Sequence, residues 1–178
     1  MVTAGHFAQV AESSKYDSWK YADHDCQDYV ECVLYDSGVR KPDGSKYNWK
    51  GSNSMWRSAL SWRGTIAEAV EKFGQIPPGS WAFMVKNDGG EKERGYEDGE
   101  GNATHVGIYI DGGRVRDSTR STKTKRDGVG YRSVNDFNMI GLCKYLDYNV
   151  KNVNNNNQIR SIIDNIENEL REIRRLLL

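Results

Sequence analysis

Two stretches decide the reading: Asp25-Cys26-Gln27-Asp28-Tyr29-Val30 and, far downstream, Thr104-His105-Val106-Gly107-Ile108-Tyr109-Ile110. The first offers a thiol at the opening of a helix, because Cys26, Tyr29, Val30, Val33 and Leu34 recur at helical spacing after a polar run over residues 20–25. Asp25 is a good N-cap type, and Asp28 three residues later resembles the acidic end of a capping box. The second stretch offers an imidazole on a strand. A cysteine needs a base to become a thiolate near neutral pH, and the unpaired amides and positive end of a helix favour a thiolate and can hold an oxyanion. Together the two segments read as the nucleophile and base of a cysteine hydrolase, set against the plainer reading of Cys26 as a small buried hydrophobe.

The blocks that follow carry a resemblance. Asp25-Cys26-Gln27-Asp28, then Ile76-Pro77-Pro78-Gly79-Ser80-Trp81-Ala82-Phe83, then His105-Val106-Gly107-Ile108-Tyr109-Ile110 resemble the NlpC-type cell-wall peptidases over roughly residues 7–146. In that papain-like family an Asp-Cys-Ser-Gly-type helix start precedes a Pro-Gly-Asp strand and a His-Val-Gly-Ile-Tyr strand. Gln27 and Asp28 stand where Ser and Gly are usual. The resemblance implies an α+β papain-like domain, N-terminal helices packed on an antiparallel sheet. It also implies a cysteine endopeptidase that cleaves peptidoglycan stem peptides, of the γ-D-glutamyl-diamino acid type. Cys26 would attack, His105 would move the proton, and a third polar residue on the next strand would orient the imidazole. That strand is Arg114-Val115-Arg116-Asp117-Ser118-Thr119, after an Asp111-Gly112-Gly113 turn, and the third position falls on Arg116 by one alignment and on Asp117 by another. A guanidinium only donates, whereas a carboxylate accepts from the ring, so Asp117 is the expected member, given a turn or bulge that shifts the register by one. By the same resemblance Asp25 and Gln27 would contact substrate, and Tyr16 or Tyr21 would complete the oxyanion site. An N-acetylmuramoyl-L-alanine amidase, or a non-catalytic wall-binding or virion structural protein, is the alternative.

Composition narrows the partners. With 25 Lys plus Arg against 25 Asp plus Glu, the chain has no net charge to draw it to nucleic acid or anionic lipid. Three cysteines, Cys26, Cys32 and Cys143, do not make a disulfide scaffold, and Cys32 and Cys143 read as packing. His6 reads as a surface residue, and His24 as a helix-start neighbour of the thiol rather than its base. No Cys-x-x-Cys or His-x-x-x-His spacing gives a zinc signature, so neither metal catalysis nor a cofactor is expected. No basic segment followed by an apolar run opens the chain, and no stretch is long enough to span a membrane. The expectation is synthesis in the cytoplasm and action on the bacterial wall after release or from a virion, as for a phage endolysin.

The expected sheet contains segments 81–86, 104–110, 114–119 and 139–146. Residues 53–73, with Met55, Trp56, Leu60, Trp62, Ile66, Val70 and Phe73, read as helical with a break at Arg63-Gly64. The Gly- and acid-rich residues 87–102 read as a surface loop able to wall a groove. The domain organisation expected is a catalytic unit over 1–148, an Asn-rich linker over 149–157 and a helix over 158–178. In that helix Ile159, Ile163, Ile166, Leu170, Ile173 and Leu177 alternate spacings of four and three, a heptad seam expected to assemble trimers or tetramers.

Overall fold

A computed structural model describes residues 1–122, 125–149 and 166. The linker and the C-terminal helix, with the oligomer they were expected to build, otherwise lie outside the described residues. Within those residues the protein is α+β, with four helices and a six-stranded antiparallel sheet. In chain order the elements are β1 (Val2–Thr3), α1 (Ala4–Ala11), α2 (Cys26–Asp36), α3 (Gly51–Ser58), β2 (Leu60–Thr65) and α4 (Ile66–Phe73). They continue with β3 (Trp81–Lys86), β4 (Asn102–Tyr109), β5 (Arg114–Ser121), β6 (Arg126–Ser133), β7 (Met139–Cys143) and β8 (Leu146–Asp147). The large sheet runs β2-β7-β3-β4-β5-β6, and β1 pairs with β8 in parallel beside it. None of the described helices is long and apolar enough to cross a membrane.

The alternation of side chains along the strands feeds two cores. Trp81, Phe83, Val106 and Ile108 pack with Phe7, Tyr29, Val30, Val33, Met55 and Trp56 from α1, α2 and α3. Ala82, Tyr109, Val115, Ile140 and Leu142 form the other core with Ala69 and Phe73 of α4 and with Phe137. The sheet is therefore sandwiched, with the helix that carries Cys26 laid across β4 and β5.

Two elements depart from the sequence expectation. Residues 60–65, expected to be helical, form β2, which pairs with β7 from Thr65↔Met139 to Leu60↔Cys143. Period two wins there because Leu60 and Trp62 alternate with Ser61 and Arg63, and a Thr65–Glu68 capping box then starts α4 afresh. Strand β6 was not expected at all. It has few apolar residues because it lies at the edge of the sheet, paired only to β5.

Candidate active site

Helix α2 begins at Cys26, as its spacing implies. Asp25 caps it through Oδ1, which accepts from the Asp28 amide at 2.9 Å. The capping box is not completed, because the Asp28 carboxylate is taken up by His24 and Lys46. First-turn amides have no intrahelical acceptor, so those of Cys26 and Gln27 stand at the thiol. Cys26 is 7% exposed and His105 8%, and the thiol is within hydrogen-bonding reach of the imidazole.

The third residue is decided by a turn. The hairpin between β4 and β5 pairs Ile108 with Arg116 and Tyr109 with Val115, and the Ile110 amide donates to the Arg114 carbonyl across the loop. From His105 onward, past an irregularity at Thr104, odd-numbered residues of β4 thus share one face with odd-numbered residues of β5. A two-residue turn would have set Arg116 on the face of His105. The three-residue turn Asp111-Gly112-Gly113 advances the parity by one, with Gly112 at φ 52° and Gly113 at φ 79° supplying left-handed backbone. His105 Nε2 and Asp117 Oδ2 are accordingly 2.5 Å apart, leaving Nδ1 as the ring nitrogen for the thiol. Gly107, between them in register, has no side chain to intervene: a Cβ there would stand 2.9 Å from the Asp117 Cβ and 2.6 Å from Val115 Cγ1. Arg116 points the other way, donating to the Ala11 carbonyl at 2.8 Å and pairing with Asp17.

Asp117 is fully buried, and such a carboxylate is tolerable only with strong partners. Arg126 Nη2 donates to its Oδ1 at 2.5 Å, and Arg132 Nη1 lies 3.5 Å from its Oδ2. Both arginines come from β6 on the Asp117 face, since Asp117 pairs with Gly130 and Val115 with Arg132. Phe137 stacks on His105 with ring centres 5.9 Å apart, and the Arg132 guanidinium lies over the Phe137 ring. Burial works against the charged form of His105, but hydrogen bonds to Asp117 and Cys26 outweigh it and push the ring up from 6.5 to about 9. The ring therefore holds a proton between a thiol and a carboxylate. That is an arrangement for nucleophilic attack by sulfur followed by proton delivery to a leaving amine.

The candidate substrate residues separate. Tyr21 is half-buried beside the thiol; burial and the negative charges of Cys26 and Asp25 push its phenol up, against Arg120. Tyr16 is in the core, its hydroxyl donating to Asp36 Oδ2 at 2.6 Å and its ring edge-on to Trp19 and Tyr29. Asp25 is exposed at the helix start. Gln27 spends its amide on Glu31 Oε1 at 2.7 Å and on the Trp49 carbonyl, so it props the 39–50 loop. His24 is no base for Cys26: it stacks on Trp19 and meets Asp28. The 87–101 loop is docked on α3, with Arg57 bidentate to Asp98 at 2.6 and 2.8 Å. A cleft of about 230 Å³ lies under it, running from Gly51, against Gln27, to Thr104, next in the chain to His105.

No family model matches the chain, and no curated protein or solved structure matches it.

The arginine pair on Asp117 leaves the faintest trace in the sequence. Neither Arg126 nor Arg132 lies in a recognisable motif, and only the pairing of β5 with β6 brings them to Asp117. The signal available beforehand was indirect: a buried carboxylate on β5 requires cations from a neighbouring strand.

Proposed function

We propose that the protein is a papain-like cysteine hydrolase that cuts an amide bond in peptidoglycan stem peptides, as an endopeptidase, in the manner of a phage endolysin. The observation that carries the chemistry is the run Cys26, His105, Asp117, with the thiol at a helix start and the ring protonated between sulfur and carboxylate. The substrate class rests on the likeness of the His105-Val106-Gly107-Ile108-Tyr109 block to NlpC-type peptidases.

In the proposed cycle the proton between Cys26 and His105 rests on the ring, and the sulfur attacks the carbonyl carbon as a thiolate. The amides at the start of α2, with the Tyr21 hydroxyl, stabilise the oxyanion. His105 then gives its proton to the departing amine, and water, activated by the neutral ring, hydrolyses the thioester. Asp117 keeps Nε2 engaged so that Nδ1 faces the sulfur. No residue in the cycle requires a metal or cofactor.

The test is incubation of the protein and its Cys26→Ala variant with peptidoglycan of several wall types, the released fragments being identified by mass spectrometry. Peptide fragments that require Cys26 are expected. Release of intact stem peptides from the sugar would instead mark the amidase, which uses the same Cys and His on a different bond. Absence of release from every wall would sink the hydrolase and favour a wall-binding or virion structural role.

A further inference from the structure

On the face of α2 turned away from Cys26, three side chains of different chemistry gather. Asp28 and Cys32 lie one turn apart on α2, and His24, just before the N-cap, is brought beside Asp28 by the turn that leads into the helix. Their ligating atoms all lie within 4.8 Å of one another. His24 Nδ1 is 2.6 Å from Asp28 Oδ2, and Cys32 Sγ is 3.7 Å from each Asp28 oxygen. The imidazole is held flat against Trp19, ring centres 3.6 Å apart, and all three residues are half-buried, open to an ion from solvent. Lys46 brings its ammonium to Asp28 Oδ1 and, at 3.3 Å, to Cys32 Sγ. A cation is thus already lodged where carboxylate and sulfur converge. Cys32 is therefore not the packing residue its sequence position suggested.

We propose that His24, Asp28 and Cys32 form a binding site for a transition-metal ion of the zinc class, and that Lys46 is the internal cation the metal displaces. One imidazole nitrogen, one carboxylate oxygen and one thiolate sulfur is a donor set for borderline-soft Zn²⁺, whereas Ca²⁺ and Mg²⁺ favour oxygen alone. Three protein ligands leave the fourth tetrahedral position to water. Ligand bonds of about 2.0–2.3 Å draw donor atoms to roughly 3.5 Å apart, so the widest pair closes by about an ångström, within reach of half-exposed side chains. On binding, Cys32 gives its proton to solvent and forms the sulfur–metal bond, and Lys46 turns to Glu31, whose Oε2 is 4.0 Å away. The His24 carbonyl accepts from Ser118 Oγ at 2.5 Å, so a metal on His24 ties the residue two before Cys26 to both α2 and β5. The site stands apart from the hydrolase reading and does not depend on it.

Cobalt is the probe, used on the full chain carrying Cys26→Ala so that the other thiol beside a histidine does not contribute. A single equivalent of Co²⁺ is expected to give a thiolate-to-cobalt charge-transfer band and the intense visible absorption of a tetrahedral ion, both bleached by Zn²⁺. Adding Cys32→Ser removes the charge-transfer band, and adding His24→Ala weakens binding. Lys46→Met, which keeps all three ligands, binds cobalt several-fold more tightly. A pale octahedral spectrum, a charge-transfer band that survives Cys32→Ser, or an affinity unchanged by Lys46→Met would overturn the proposal.

Discussion

Replacing Asp117 by Asn tests the electrostatic core of the site, because it keeps the shape and removes the charge. In the native protein the His105 ring is raised from 6.5 to about 9 against the effect of its own burial, with Asp117 and Cys26 as the groups that raise it. That interval corresponds to about 3 kcal/mol in favour of the charged ring. A raised pKa contributes stability that is fully present below 6.5 and is lost as pH climbs through about 9. Asp117→Asn removes one of the two opposing groups, so the ring is expected to titrate back toward 6.5 and this window of stability to flatten. The substitution also leaves Arg126 facing a neutral amide, while Arg132 keeps Asp136. Breaking a buried pair typically costs 3–5 kcal/mol, and since both arginines retain some solvent, about 3 kcal/mol is the expected loss at neutral pH. Imidazole resonances followed by heteronuclear NMR across the pH range give the ring directly, His105 being identified by its loss in His105→Gln. Urea denaturation just below 6.5 and above 9 gives the stability gap, which should narrow at the higher pH. A ring that titrates at the same pH in both proteins, or a gap equal at both pH values, would refute the reasoning.

Gly107→Ala is expected to drive β5 from β4 through the contacts with Val115 and Asp117, costing about 1–3 kcal/mol in chemical denaturation and lowering turnover further than that loss explains. The two tyrosines should separate: Tyr21→Phe leaves the melting temperature unchanged but slows kcat on released stem peptides by roughly 10²-fold if its hydroxyl serves the oxyanion. Tyr16→Phe removes one of two donors to Asp36, Lys15 being the other, and is expected to destabilise by about 1 kcal/mol and leave kcat in place. The alkaline limb of kcat should fall through about 9, where His105 loses the proton owed to the leaving amine, and a limb unmoved by Asp117→Asn would contradict that assignment.

What was legible in the sequence follows the range over which each signal acts. The start of α2, with Asp25 as cap and Cys26 in the first turn, depends on residues within one helical turn, and the structure has it as expected. Strands β3, β4, β5 and β7 fall close to their expected segments, because each carries enough apolar residues to show its period. Donor and acceptor chemistry favoured Asp117 over Arg116, but the register that sets it beside His105 was not legible, since it hangs on whether one turn holds two residues or three. Strand β6 escaped because an edge strand needs little apolar surface. The gathering of His24, Asp28 and Cys32 was not legible because a carboxylate in the middle position breaks the pairing of Cys and His that marks a zinc site.

The site also couples chemistry to the least protected part of the sheet. The Asp117 carboxyl has no exposure to water, and its partners Arg126 and Arg132 come from the edge strand β6. If β6 separates from β5, the carboxylate keeps only His105, and water reaches it. The partners of the ring are then no longer fixed, so the orientation of Nδ1 toward Cys26 depends on the hairpin of β5 and β6, which does not line the cleft under the 87–101 loop. Arg132 is itself held by Asp136, at 3.3 Å, and lies over Phe137, so the segment leading into β7 shares the same clamp. The thiol of α2, laid across β4 and β5, and the arginines of the neighbouring edge strand β6 are thus joined through a single buried carboxylate. In Asp117 the fold's stability and the proposed reaction make the same demand on one side chain.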